Sequence, residues 1–178
     1  MTELASAGQL RASLLRWALV LVPGVILLGF LSSQFGSPQS AWFENLAKPP
    51  INPPGWVFAP VWTVLYAMMG FAAAIVVSAR GAWWRGRAAI AFLVQLVLNL
   101  AWSPAFFGMH AIPAALAVIV ALDIAVVVTV WLFWKVRRLA ALLLLPYLAW
   151  ILFATVLNWQ FLVYNPTTSA PATQRIQL

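Results

Sequence analysis

Five apolar runs, each of about twenty residues, divide this chain, and that is the length an α-helix needs to cross about 30 Å of hydrocarbon. They extend roughly from Leu14 to Leu31, Phe58 to Ala79, Ala88 to Phe107, Ala114 to Trp134 and Leu139 to Val163. A backbone in lipid must satisfy its own hydrogen bonds, which leaves such runs little choice but the helix. The composition agrees: 65% of residues are hydrophobic and 7% are charged, a balance that no soluble domain of this size needs. The expected fold class is all-α, an integral membrane bundle of five transmembrane helices over residues 14–163, with flexible tails at 1–13 and 164–178.

Within this plan, Pro23 and Gly24 are expected to kink the first span without breaking it. No small-x-small cleavage pattern stands out after Arg11 and Arg16, so the first run is read as a retained span. Gly70, Ala74 and Ser78 recur every four residues in span two, and Ala117, Ala121 and Ala125 do so in span four. Such small faces let another helix approach closely. The short connection Gly108–Pro113 makes spans three and four antiparallel neighbours.

The basic residues are unevenly shared. Arg11, Arg16, Arg80, Arg85, Arg87, Lys135, Arg137 and Arg138 fall on one side; Lys48 and, distantly, Arg175 fall on the other. For an inner or plasma membrane this places the N-terminus inside and the first loop outside. The net charge of +7 is therefore assigned to orientation in the lipid bilayer, and nucleic acid is not an expected partner. The absence of cysteine excludes disulfides and thiolate metal sites. One histidine, His110, excludes a multi-histidine metal site within the chain.

The connection between spans one and two is the most distinctive stretch. Trp42 to Trp62 reads WFENLAKPPINPPGWVFAPVW, with Pro49, Pro50, Pro53, Pro54 and Pro60 among Trp42, Trp56 and Trp62. Proline fixes φ, removes a donor and pushes its predecessor towards extended geometry. The stretch is thus a stiff, partly polyproline-like connection and not a continuous helix. Two readings stay open: a lid or wall over a site, or an interfacial loop whose tryptophans sit at headgroup level.

Polar groups inside spans usually face the bundle interior. Gln95, Asn99 and Ser103 are four apart on one face of span three, flanked by Trp102 and Phe106. Tyr147, Trp150 and Asn158 share a face of span five, with the small Ala154 between them, and Trp62 and Tyr66 open span two. Three helices thus present aromatic stripes beside polar atoms, as a pocket for a large flat ligand would require. The alternative for each residue is helix–helix packing with amides as hydrogen-bonding glue. Asp123 stands near the middle of span four without a basic residue at its depth, and is expected to be protonated or hydrogen-bonded, in a structural, ligand-contacting or proton-linked role. His110 reads as an interfacial turn residue, with haem ligation the weaker alternative. There is no Ser/His/Asp arrangement, glycine-rich phosphate loop or carboxylate pair, so conventional hydrolytic chemistry is unsupported, and no cofactor or metal is expected.

Three blocks carry a resemblance to a known family: WFENLAKPPINPPGWVFAPVW (Trp42–Trp62), LNLAWSPAFFG (Leu98–Gly108) and PYLAWILFATVLN (Pro146–Asn158). The chain resembles the TspO/MBR family, the tryptophan-rich sensory proteins and mitochondrial translocator (peripheral benzodiazepine receptor) proteins, over roughly residues 14–163. The resemblance implies a five-helix bundle, often a homodimer, with a cavity closed by the first loop. It implies binding of porphyrins and other tetrapyrroles, of isoquinoline-type synthetic ligands and, in some members, of sterols. Trp62 and Trp150 match cavity tryptophans linked in bacterial relatives to light-dependent porphyrin breakdown, so they would be the catalytic residues if such breakdown occurs. Asn99 and Tyr147 match polar cavity residues, Ala154 a small residue where bulk alters ligand binding, and Pro49, Pro53, Pro54 and Trp56 the loop motif.

The chain also departs from the family pattern. Phe43 stands where many members have tyrosine. Trp159 replaces the tyrosine of the C-terminal sterol pattern, and Arg175 lies too far beyond Tyr164 to complete it, which argues against sterol binding through this segment. The ligand-binding set expected from residues and resemblance together is Phe43, Pro49, Pro53, Pro54, Trp56, Trp62, Tyr66, Gln95, Asn99, Trp102, Phe106, Tyr147, Trp150, Ala154 and Asn158. Three functions follow: a tetrapyrrole-binding sensor or translocator-like receptor, a light-dependent porphyrin degrader, and a structural or partner-binding membrane protein using its small faces.

Overall fold

A computed structural model describes residues 7–36, 38 and 40–166. Six α-helices follow in order: α1 (Ala7–Ser33), the single turn α2 (Ala41–Glu44), α3 (Phe58–Ser78), α4 (Arg85–Ser103), α5 (Ile112–Val136) and α6 (Arg138–Tyr164). No strand occurs among the described residues. The five long helices are each long and apolar enough to cross a membrane, and they are the five spans expected from the sequence.

The boundaries differ in instructive ways. α1 begins at Ala7, inside the stretch expected to be a tail, and Ser13 is buried. Pro23 and Pro146 lie inside α1 and α6. α4 does not stop cleanly: Pro104–Gly108 continue it as a π-helical turn closed by Met109 N–H donating to Pro104 O at 2.8 Å. His110 then adopts φ 54°, and Pro113 occupies the first turn of α5, where a missing N–H costs nothing.

α1 packs mainly on α3, α3 on α6, α6 on α5 and α5 on α4, and a lighter α1–α4 contact closes the ring. Spans three and four are the antiparallel neighbours that their short connection requires. Gly70 explains the closest approach: a Cβ there would lie 2.7 Å from Leu21 O and Val22 Cα of α1. The second small face is not used inside the bundle, since Ala117 and Ala121 are exposed on α5. At the end carrying the two arginine-rich turns, the core is close-packed from Ala72, Ala73, Val76, Ala88, Phe133, Val136 and Ala140. A second cluster, built on Phe43, Leu46, Phe106, Ile112, Leu157 and Phe161, lies at the first-loop end.

Candidate functional site

The first loop is a folded cap and not a simple polyproline rod. Ser40 caps α2 by accepting from Phe43 N–H at 3.3 Å. The turn buries the Phe43 ring against Phe106, Phe107 and Phe161. Trp42 stacks on His110 at 4.2 Å, so the lone histidine is a partner of the loop. Asn52 N–H closes a turn onto Pro49 O, and Pro54 has polyproline-like dihedrals (φ −56°, ψ 140°) before the short 3-10 turn Gly55–Val57. The far side is fastened to the end of α6. Ala47 N–H donates to Asn165 Oδ1 at 2.9 Å, and Asn165 Nδ2 donates to Ala47 O at 3.0 Å. Asn165 falls in the segment expected to be a tail, yet it is buried. Residues 167–178 of the C-terminal segment, Arg175 among them, lie outside the described residues.

Beneath this cap is a cavity of about 540 Å³ between α1, α3, α4 and α6, with α5 closing its floor through Ile119 and Leu122. Its size is within the ~300–1,000 Å³ typical of small-molecule sites. Of the residues singled out from sequence, Phe43, Trp62, Tyr66, Asn99, Trp102, Phe106, Trp150, Ala154 and Asn158 line it. Gln95 and Tyr147 lie behind that wall, fully buried, where they hold the lining residues in place. Pro49, Pro53, Pro54 and Trp56 do not reach the cavity; Pro49 is buried within the loop and Trp56 is 75% exposed on its outer surface. Their spacing shapes the cap, while Phe43, Asn52 and Gly55 are its residues that face the cavity, followed by Phe58 at the start of α3.

The polar groups form two hydrogen-bonded sets, in which the buried Gln95 Nε2 alone of the amide atoms has no partner. Tyr66 OH donates to Asn99 Oδ1 at 2.8 Å, Asn99 Nδ2 donates to Tyr147 OH at 3.0 Å, and Tyr147 OH donates to Gln95 Oε1 at 3.0 Å. This chain ties α3, α4 and α6 together and fixes which amide atoms face the cavity. Trp102 Nε1 donates to Asn158 Oδ1 at 3.0 Å, and Asn158 Nδ2 donates to Ile112 O at 3.2 Å. Trp62 stacks on Tyr66 with centroids 5.2 Å apart, and Trp150 meets Phe58 edge-on at 6.2 Å. The tryptophan rings are thus braced by aromatic neighbours, which limits the freedom that a bound ligand would have to remove.

The α1 contribution was not among the expected residues. Ile26, Gly29, Phe30, Ser32 and Ser33 line the cavity on that side, with Gln34 just beyond the helix end. A side chain at Gly29 would collide with the Tyr66 ring, so the glycine makes room for the ring to stand against α1. Ser32 OH donates to Leu100 O at 2.7 Å and closes α1 onto α4. Asp123 lies off this site, on the α5–α6 seam, where Thr155 OH contacts its Oδ2 at 2.8 Å and Ile151 O at 3.0 Å.

Fold and site together define a multi-pass integral membrane protein with an aromatic cavity at one end of its bundle. Residues 19–164 match the model of the TspO/MBR family, and the chain belongs to that family. It is 44% identical over 146 residues to the tryptophan-rich protein TspO of Chlorobaculum tepidum, covering 79% of this chain and 90% of that protein. It is 40% identical over 124 residues to the tryptophan-rich sensory protein of Cereibacter sphaeroides (70% and 77% covered). The human translocator protein is 37% identical over 134 residues (73% and 79% covered).

Proposed function

We propose that this protein is a membrane receptor, of sensor or translocator type, that binds a tetrapyrrole such as a porphyrin in the cavity under the first loop. The observation that carries the reading is the composition of that wall. Trp62 and Trp150 supply broad apolar faces, while Tyr66 and Asn99 offer a few fixed polar atoms. A flat conjugated macrocycle gains most of its affinity from burial and stacking and needs polar groups mainly for orientation. The same wall accommodates isoquinoline-type aromatic compounds as competitors. Binding of a sterol draws no support from the C-terminal end of α6, where Trp159 is exposed and faces away from the cavity lining.

A second reading rests on the Trp62–Tyr66 stack, which puts two oxidisable rings in contact at the cavity wall. In that reading bound porphyrin is consumed in light, with Trp62 and Trp150 next to it. Titration of purified protein with protoporphyrin IX, following tryptophan quenching in the dark and porphyrin absorbance under light, separates the two. Saturable quenching with a stable porphyrin spectrum is the result expected of a receptor. Light-dependent loss of the porphyrin band, abolished by Trp62→Phe with Trp150→Phe, would replace it by the degrader. Absence of saturable quenching would remove the tetrapyrrole reading altogether.

A further inference from the structure

The opposite end of the bundle carries a different aromatic arrangement. Trp84, at the start of α4, meets Trp131, near the end of α5, edge-on with centroids 5.7 Å apart. Each ring holds a cation. Arg87 Cζ lies 4.9 Å from the centre of Trp84, and Lys135 Nζ lies 5.5 Å from the centre of Trp131. Arg87 and Lys135 are exposed, and Trp131 is 52% exposed. One helical turn along, Arg138 Cζ stands 5.5 Å from Trp134, itself partly exposed. The cations are thus held over rings at a fixed seam between two helices.

We infer that the Arg87–Trp84–Trp131–Lys135 cluster at the α4–α5 seam binds the phosphate headgroup of an anionic phospholipid in the adjoining leaflet. Three features converge on this occupant. First, the charge is uncompensated. Among the described residues the only carboxylates are Glu44, in the first loop at the far end, and Asp123, inside α5. Second, the charge is placed against the helix it sits on. The first turn of α4 holds Arg85 and Arg87, contains no acidic residue, and its N-cap Trp84 makes no side-chain cap. Positive side chains there oppose the partial positive charge of the helix N-terminus, and a phosphate relieves both. Third, the exposed Trp131 and the half-buried Trp84 stand at the ends of two spans, where tryptophan favours the level at which headgroups meet acyl chains, so one lipid can place its phosphate on the cations and its glycerol and chains on the indoles. A soluble anion would gain nothing from the indole faces.

The test uses the full chain, purified in mild detergent with limiting lipid and examined by native mass spectrometry. Phosphatidylglycerol and phosphatidylcholine with identical acyl chains are offered at equal concentration. The wild type is expected to retain phosphatidylglycerol over phosphatidylcholine by about fivefold or more. Arg87→Gln with Lys135→Gln should reduce that preference to about twofold or less. Arg11→Gln with Arg16→Gln removes the same charge from the same end, on α1, and should leave the preference intact. Trp131→Leu keeps both cations and should lower the preference, because it removes the ring that positions Lys135. All the substituted positions are on the exposed surface, and an unchanged thermal unfolding midpoint verifies that each variant is folded. Equal retention of the two lipids by the wild type would overturn the inference. So would an equal loss in the Arg11/Arg16 variant, which would reduce the effect to general surface charge. Displacement of phosphatidylglycerol by millimolar inorganic phosphate would also overturn it, by making the site one for a free anion.

Discussion

The two ends of this bundle use the same helices to opposite effect. At the arginine end, α3, α4 and α6 contribute Ala72, Ala73, Ala88, Ala140 and Ala141 to the core, all buried, and the helices close on one another. At the first-loop end, the same helices face each other with Trp62, Tyr66, Trp102 and Trp150, and a cavity of about 540 Å³ remains between them. Small side chains let helix backbones approach, whereas large rings prop them apart. The cavity is thus a consequence of where the residue sizes change along each helix. The amide and hydroxyl groups occur at the propped end because polar atoms there can bond to one another around the space.

The largest expected effect sets the two ends against each other on one helix. Ala140→Leu forces three extra carbons into the close-packed end and should destabilise the fold by about 1–3 kcal/mol. Ala154→Leu places the same bulk in the cavity. It should leave the thermal midpoint near that of the wild type while weakening tetrapyrrole binding about tenfold or more. Equal losses of stability in both variants would remove the distinction between a filled and an open end. Next, Tyr147→Phe breaks the middle of the polar chain and strands Asn99 Nδ2 and Gln95 Oε1, at a cost of about 1–3 kcal/mol in thermal or denaturant unfolding. Trp150→Ala should weaken tetrapyrrole binding about fivefold, measured by fluorescence titration, with the fold intact. The smallest effect belongs to the seam outside the cavity. Thr155→Val removes the hydroxyl on Asp123 and should cost about 1 kcal/mol of stability without altering tetrapyrrole affinity.

Much of this organisation was legible in the sequence because helical spacing carries it. Gln95, Asn99 and Trp102 share a face by period alone, as do Tyr147, Trp150, Ala154 and Asn158, and these residues meet at or directly behind the cavity wall. The role of α1 was not legible. Its contribution is a glycine that admits the Tyr66 ring and a run of small and apolar residues, none of which makes a periodic polar or aromatic signal. The loop's anchor was equally hidden, since Ala47 and Asn165 are 118 positions apart and no local pattern links them. The prolines and Trp56 mark the loop clearly, yet the residues it turns towards the cavity are Phe43, Asn52 and Gly55. Proline spacing dictates where a chain bends, while the side chains between the bends decide what faces inward. The π-helical turn at Pro104–Gly108 also lay beyond pattern reading, because it depends on which carbonyl the Met109 N–H finds.

The most direct test is a protoporphyrin IX titration in the dark, by tryptophan quenching, of the wild type and Ala154→Leu side by side. The account predicts saturable quenching with one site per chain in the wild type. In the variant it predicts a loss of affinity of about tenfold or more at an unchanged thermal midpoint. Non-saturable quenching of the wild type, or the same affinity in both proteins, would contradict the assignment of the propped end as a tetrapyrrole site.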